Sequence, residues 1–220
     1  MPIIPYTGMV DAALKLKSDT NLWISIGKTT PWSDEAHPPT EGLTAEGLAE
    51  TICFKKADAT SLVVPDPNGE IVFQDNKYTI VPDSEAISQV ARWCYVRASL
   101  NQTESNHAGP VVGAVTFRQT GLFSGLVPAA GFEADEALTP AQVLDPGRLI
   151  FYANHVARTR EVDLNDIVEV VVSAIPPAPC ETSSSTSSTT TTQCLQACQI
   201  ACQDACQTGC QSTCQVTCQT

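Results

Sequence analysis

The sequence predicts an α+β domain, mostly antiparallel β and sandwich-like, with one to three short helices and a low-complexity cysteine-rich tail. Three observations carry this. Short runs rich in Val, Ile, Tyr and Phe recur between Gly, Pro, Asn and Asp, as antiparallel strands do. Helical periodicity is confined to a few short stretches. Beyond "IPPAPC" the apolar runs stop, and a Ser/Thr run leads into cysteine at every fourth position.

The elements follow in order. "YTGMVDAALKLKSD" sets Met9, Ala12, Ala13 and Leu16 at helical spacing, ended by Asp19 and Thr20. "NLWISIGK" alternates Leu22, Ile24 and Ile26 against Trp23 and Ser25, the period of a strand. "TAEGLAETI" reads as a helix start capped by Thr44. Residues 62–64 and 71–73 flank "PDPNG", and Asn68-Gly69 suits the positive φ of a tight turn, so the two runs read as a hairpin. Residues 77–81 make the next strand. "DSEAISQVARW" reads as a helix capped by Asp83 or Ser84, with Ile87, Val90 and Ala91 as its stripe. "WCYVRASL", "PVVGAVTFRQ", "RLIFYANHV" and "DIVEVVVSAI" bring the total to about seven or eight strands. Between two of them, "PAAGFEADEALTPAQVLDPG" is a long polar excursion, expected to be a surface lid or contact arm.

Charge excludes some partners. Acidic residues outnumber basic ones 24 to 12, for a formal net charge of −12, and every Lys and Arg precedes Cys180. Such a surface repels nucleic-acid phosphates and anionic membranes, so neither is an expected partner. No run approaches the roughly 18 apolar residues of a membrane span. "MPIIPYTGMVDAALKLK" lacks the basic start and apolar run of a signal peptide. Synthesis in a reducing cytoplasm is therefore expected, where structural disulfides rarely persist.

Three segments are expected: a β-rich structural domain over 1–180, a Ser/Thr-rich linker over 181–193, and the cysteine repeat over 194–220. Residues 182–192 are all Ser or Thr and have no apolar side chain to bury. Extended, the linker spans on the order of 45 Å. The repeat sets Cys194, Cys198, Cys202, Cys206, Cys210, Cys214 and Cys218 four apart, six of them followed by Gln. Structural zinc sites need four convergent ligands and iron–sulfur runs mix their gaps, so an even ladder without His fits metal poorly. Neighbouring rungs of a strand lie about 13 Å apart, beyond the roughly 4.4–6.8 Å that a disulfide spans. On a helix they lie about 6 Å apart but aim poorly. A second chain suits the ladder better, because a period of four keeps every thiol on one face of a strand. The expectation is inter-chain disulfides through these seven and Cys180. Pairing within the tail stays open, and so does a metal- or iron–sulfur-binding redox module.

Nothing points to catalysis or a cofactor. His37, His107 and His155 lie apart in sequence, "GLFSG" lacks the spacing of a nucleophile elbow, and no phosphate-binding glycine loop or HExxH is present. Cys53 in "TICF" and Cys94 in "WCYV" read as buried reduced thiols.

Several stretches resemble one family. "LWISIGKTTPWSDEAHPP" resembles a segment recurrent in structural proteins of tailed phages. "KKADATSLVVPDPNGEI", "ISQVARWCYVRASL", "FRQTGLFSGLVP" and "DPGRLIFYANH" resemble the core of the same proteins, the contractile-tail baseplate wedge type, in the same order. The resemblance implies a non-enzymatic virion protein. Its implied partners are other tail and baseplate proteins and tail fibres, in homo- and hetero-oligomers. It also implies a route by which thiols made in a reducing cytoplasm meet oxidant after lysis. Trp32, Arg97, Arg118 and Phe123 are the expected subunit-contact residues in the body.

Overall fold

The computed structural model describes residues 5–101, 103–161 and 165–173. Cys180, the Ser/Thr run and the cysteine ladder lie outside the described residues.

Helix α1 (Tyr6–Lys17) starts behind Pro5 and ends in a turn carrying Lys15 and Lys17, cations that suit the negative helix end. It buries Val10 and Ala13 against Leu62, Val81, Ala86 and Ala91, so its buried stripe centres on Val10 rather than Met9. Among the described residues fourteen strands follow: β1 (Leu22–Gly27), β2 (Cys53–Lys56), β3 (Ala59–Pro65), β4 (Ile71–Phe73), β5 (Asn76–Val81), β6 (Trp93–Leu100), β7 (Glu104–Asn106), β8 (Gly109–Val112), β9 (Val115–Ser124), β10 (Val127–Pro128), β11 (Ala137–Leu138), β12 (Val143–Asp145), β13 (Arg148–Arg160) and β14 (Asp166–Ser173).

They form two five-stranded antiparallel sheets, ordered β11-β2-β1-β9-β13 and β14-β6-β3-β5-β4, and two small ribbons, β10-β12 and β7-β8. The sheets share one core. Leu22, Ile24, Ile26, Phe117 and Leu122 of the first meet Cys94, Val96, Val168 and Val170 of the second. Each such fully buried side chain contributes about 1.5–3 kcal/mol. All six residues of β1 are buried, because the face opposite this core is covered as well. There Trp23 joins Phe54, Phe123, Leu126 and Leu138. Cys53 and Cys94 are free thiols in the interior, and burial pushes both up to about 12.

Several expectations give way to tertiary constraints. Residues 62–64 and 71–73 do not pair, because β5 lies between β3 and β4. The two-residue turn with positive φ is Gln74-Asp75, joining β4 to β5. Gly69 serves another need: a Cβ there would stand 2.3 Å from the Tyr78 carbonyl carbon. "TAEGLAETI" is not helical. Its Glu50 takes φ 49°, and Thr51 and Ile52 lead into β2. "DSEAISQVARW" holds only a 3-10 turn (Asp83–Glu85) and further turns. The Ala91 N–H reaches the Ala86 carbonyl and the Val90 N–H the Ile87 carbonyl around Val90 at φ 51°, which stops any helix, and Ile87 faces solvent. The polar excursion is tied down rather than free. Its β11 pairs with β2, Leu138 is buried, and Thr139 and Gln142 form a capping box over the 3-10 turn Pro140–Gln142.

Buried charge ties two turns to the first sheet. Lys55 on β2 donates to Glu104 Oε1 at 3.2 Å, and the Asn101 N–H donates to Glu104 Oε2 at 2.7 Å. Arg160, at the end of β13, donates to the carbonyls of Gly113 and Asn101. These contacts join β2, β13 and the turns around β7 and β8. Replacing Glu104 by Gln leaves the buried Lys55 ammonium only the exposed Glu136 carboxylate at 4.0 Å, and urea denaturation under reductant should show a loss approaching about 3–5 kcal/mol. Adding Lys55→Met should restore most of it. An unchanged midpoint in Glu104→Gln would show that this pair carries no weight.

Candidate functional site

The connection from β1 to β2, residues 28–52, has no helix or strand, yet it is held at every turn. Loops beyond about 12–15 residues are uncommon and usually functional. Glu50 gathers one end: it accepts the N–H groups of Thr29 and Thr30, each at 2.9 Å, and both hydroxyls at 2.5 Å. The Thr29 and Thr30 hydroxyls, then the Thr30 amide, hold its carboxyl far below the usual range. Lys28 adds an ion pair at 3.3 Å.

A second clamp rises from β9. The buried Arg118 donates through Nε to Glu35 at 2.7 Å and through Nη1 to the Thr29 carbonyl at 2.6 Å. Trp32, next along, donates its indole N–H to the His155 carbonyl at 3.0 Å, with the Lys28 ammonium 5.3 Å from its ring centre. A third clamp lies on β13. The Asn154 N–H donates to Glu41 at 2.8 Å, its side-chain amide donates to the Pro39 carbonyl at 2.7 Å, and the Tyr152 hydroxyl donates to the Gly42 carbonyl at 3.1 Å.

The loop's apolar foot is Leu48. It rests on Gly27 and Gly121: a Cβ on Gly121 would lie 2.9 Å from Leu48 Cδ2, and one on Gly27 would lie 2.8 Å from the Ala49 carbonyl. The glycines of "ISIGK" and "TGLF" are therefore seats for the loop. At its tip Leu43 is 93% exposed.

The loop lies along β13, the edge strand of the first sheet, and bonds it at residues 152–155. Just beyond, the register with β9 shifts between Asn154 and Arg158, a β-bulge that leaves residues 156–159 exposed. His155 sits at this bulge. Its Nδ1 bonds the Val156 carbonyl at 2.8 Å, its Nε2 meets the Thr120 hydroxyl at 3.1 Å, and its ring stands edge-on to Phe117. Burial, with Arg158 nearby, holds its pKa below the ordinary imidazole value. Beside it runs a cleft of about 360 Å³ whose lining includes Val72, Phe73, Phe151, Ile167 and Glu169.

Of the residues singled out from sequence, Trp32 and Arg118 meet in this loop. Arg118 spends its donors on its own chain, so it shapes the loop rather than reaching outward. Arg97 lies elsewhere, half-buried on β6 opposite Glu169 of β14. Phe123 is 1% exposed, edge-on to Phe54 in the core, and offers no surface to a neighbour. Sequence reading passed over Leu48, Glu50, Tyr152 and Asn154. The paired glycines of β1 and β9 were the one signal that something packs there. Among the described residues no cluster of His, Cys, Asp and Glu is placed to hold a metal, and no helix is long and apolar enough to cross a membrane.

The seat can be tested by a double-mutant cycle. Gly121→Ala should cost about 1–3 kcal/mol. With Leu48→Ala present its cost should shrink by about 0.5 kcal/mol or more. Strict additivity would mean that Leu48 does not sit on Gly121.

Residues 1–174 match the family model described as "Baseplate wedge 3 tail fiber network component". The chain is also 32% identical over 171 residues to "Virion protein 3" of Enterococcus phage phiEF24C, covering 74% of this chain and 90% of that protein.

Proposed function

The chain belongs to the family of baseplate wedge 3 tail fiber network components, a phage tail and baseplate structural protein, and on that premise we propose that the clamped loop is its docking face. The observation that carries this is the clamping itself. Three separate clamps and a glycine seat hold residues 28–52 in one shape, and that shape presents Leu43 to solvent. A loop ordered before contact loses less entropy when a neighbour meets it. The role is scaffolding rather than catalysis, with sister copies, other baseplate proteins and tail fibres as neighbours.

Leu43→Asp tests the docking face. Surface changes of this kind usually shift stability by no more than about 0.5 kcal/mol, so the variant should fold normally. Its incorporation into particles should fall several-fold. Wild-type incorporation, with no cross-link from residues 28–52 to another chain in intact particles, would count against this face.

The tail supplies covalent attachment in the same proposal. Cys180 and the seven cysteines from Cys194 to Cys218 lie beyond the family match, which ends at residue 174. They form inter-chain disulfides with neighbouring subunits or fibres once particles reach oxidising surroundings. Intact particles run on non-reducing gels should show this chain in high-mass species that collapse to 23.4 kDa with reductant. Monomer in both lanes would exclude it, and about four thiols per bound zinc or iron would replace it with a metal site.

A further inference from the structure

We infer that His155 is an acid-sensitive latch for the docking loop: its neutral ring holds the β13 bulge in the shape that receives Trp32, and protonation releases residues 32–42 from β13. The inference deepens the docking-face reading, on which it rests for the consequence of release.

The geometry leaves the ring one comfortable charge state. The Nδ1–H donates to the Val156 carbonyl at 2.8 Å, leaving Nε2 as the acceptor of the Thr120 hydroxyl 3.1 Å away. A proton on Nε2 turns that contact into two facing donors unless the hydroxyl swings away. The ring stands edge-on to the fully buried Phe117 and is itself half-buried, so a cation there loses part of its hydration.

The charges around it are few. On its own strand Arg158 opposes protonation, although its guanidinium also pairs with Asp166 of β14 at 3.4 Å. Glu169 of β14 lines the same cleft and would favour a cation, but it already accepts the Tyr95 hydroxyl at 2.5 Å. From β9, Arg118 is held by Glu35. The loop side brings Lys28 over Trp32 and Glu41 onto the Asn154 amide. Gln74 beside β4 brings no charge.

Movement of the ring reaches the loop directly. The carbonyl of His155 is the acceptor of Trp32, and the residue before it carries the bonds to Pro39 and Glu41. The Trp32 bond lies within the bulge that the ring braces, and the other two sit on the residue at its edge, which pairs with Gln119 of β9.

The sign follows from the depressed pKa. An unfolded or opened His binds its proton near pH 6.5, while the closed state binds it only at lower pH. The closed state is therefore fully favoured above about pH 6.5 and loses ground as pH falls below it. The Glu50 clamp is held far below the usual carboxylate range and stays charged through this window, so His155 acts first.

Hydrogen exchange of the full chain under reductant, corrected for intrinsic rates, tests this at pH 7.5 and 5.5. Residues 32–42 and 152–158 should exchange at least about fivefold faster at pH 5.5, while the Thr29 and Thr30 amides, held by Glu50, should not. His155→Gln should abolish the difference, and His37→Asn, which alters the exposed imidazole beside Asp34, should leave it intact. Should His155→Gln open the loop at both pH values, the wild-type His155 C2-proton shift decides, because its midpoint must coincide with loop opening. A response that survives in His155→Gln, tracks His37, or is absent in the wild type overturns the latch. The measurement involves no partner, so it stands apart from any failure of Leu43→Asp to alter particle incorporation.

Discussion

A charge taken out of water has to be met by partners, and this constraint shapes the sandwich in two places. In one place the Arg118 guanidinium, on the strand next to the edge strand of its sheet, requires the Glu35 carboxylate and the Thr29 carbonyl. Residues 29–35 therefore cross β9 where they do, and Trp32 is carried to β13. In the other, Lys55, Glu104 and Arg160 draw β2, β13 and two turns together. The apolar core between the sheets supplies most of the burial, but hydrophobic contact is non-directional. The buried charges fix which loop lies over which strand.

Much of the fold was legible because strand patterns respond to local composition. The runs at Trp93–Leu100 and Asp166–Ser173 are clean alternations or continuous Val/Ile stretches, and they pair residue for residue along their length. What escaped was decided by distant neighbours. Gly69 looked like a turn glycine, but its constraint is the Tyr78 backbone pressed against it. Gln74 and Asp75 take the positive φ without a glycine to announce it. The two residues of β11 carry no period at all, and β2 alone makes them a strand. For the site, Trp32 and Arg118 were visible as unusual residues in quoted stretches. Phe123 was equally conspicuous, yet its motif is about core packing. Motif membership does not separate a residue that faces a neighbour from one that supports the residue that does.

The cysteines divide into two chemical populations along the chain. Cys53 and Cys94 are buried with thiols pushed up to about 12, so at neutral pH they hold almost no thiolate. Thiolate is the species that attacks a disulfide. Neither of these two thiols is therefore poised to attack a disulfide, wherever one forms. A domain whose own cysteines were exposed would scramble with such a tail.

The course of the loop along β13 has one more consequence. An edge strand of thirteen residues, from Arg148 to Arg160, is a template on which identical copies can add strand by strand. A protein assembled at high local density on a particle is exposed to that hazard more than a dispersed one. The backbone N–H of Asn154 and the carbonyl of His155 are already taken by Glu41 and Trp32, and the register is broken immediately afterwards. The loop thus occupies the middle of this edge, where an incoming strand would have to displace bonds already made.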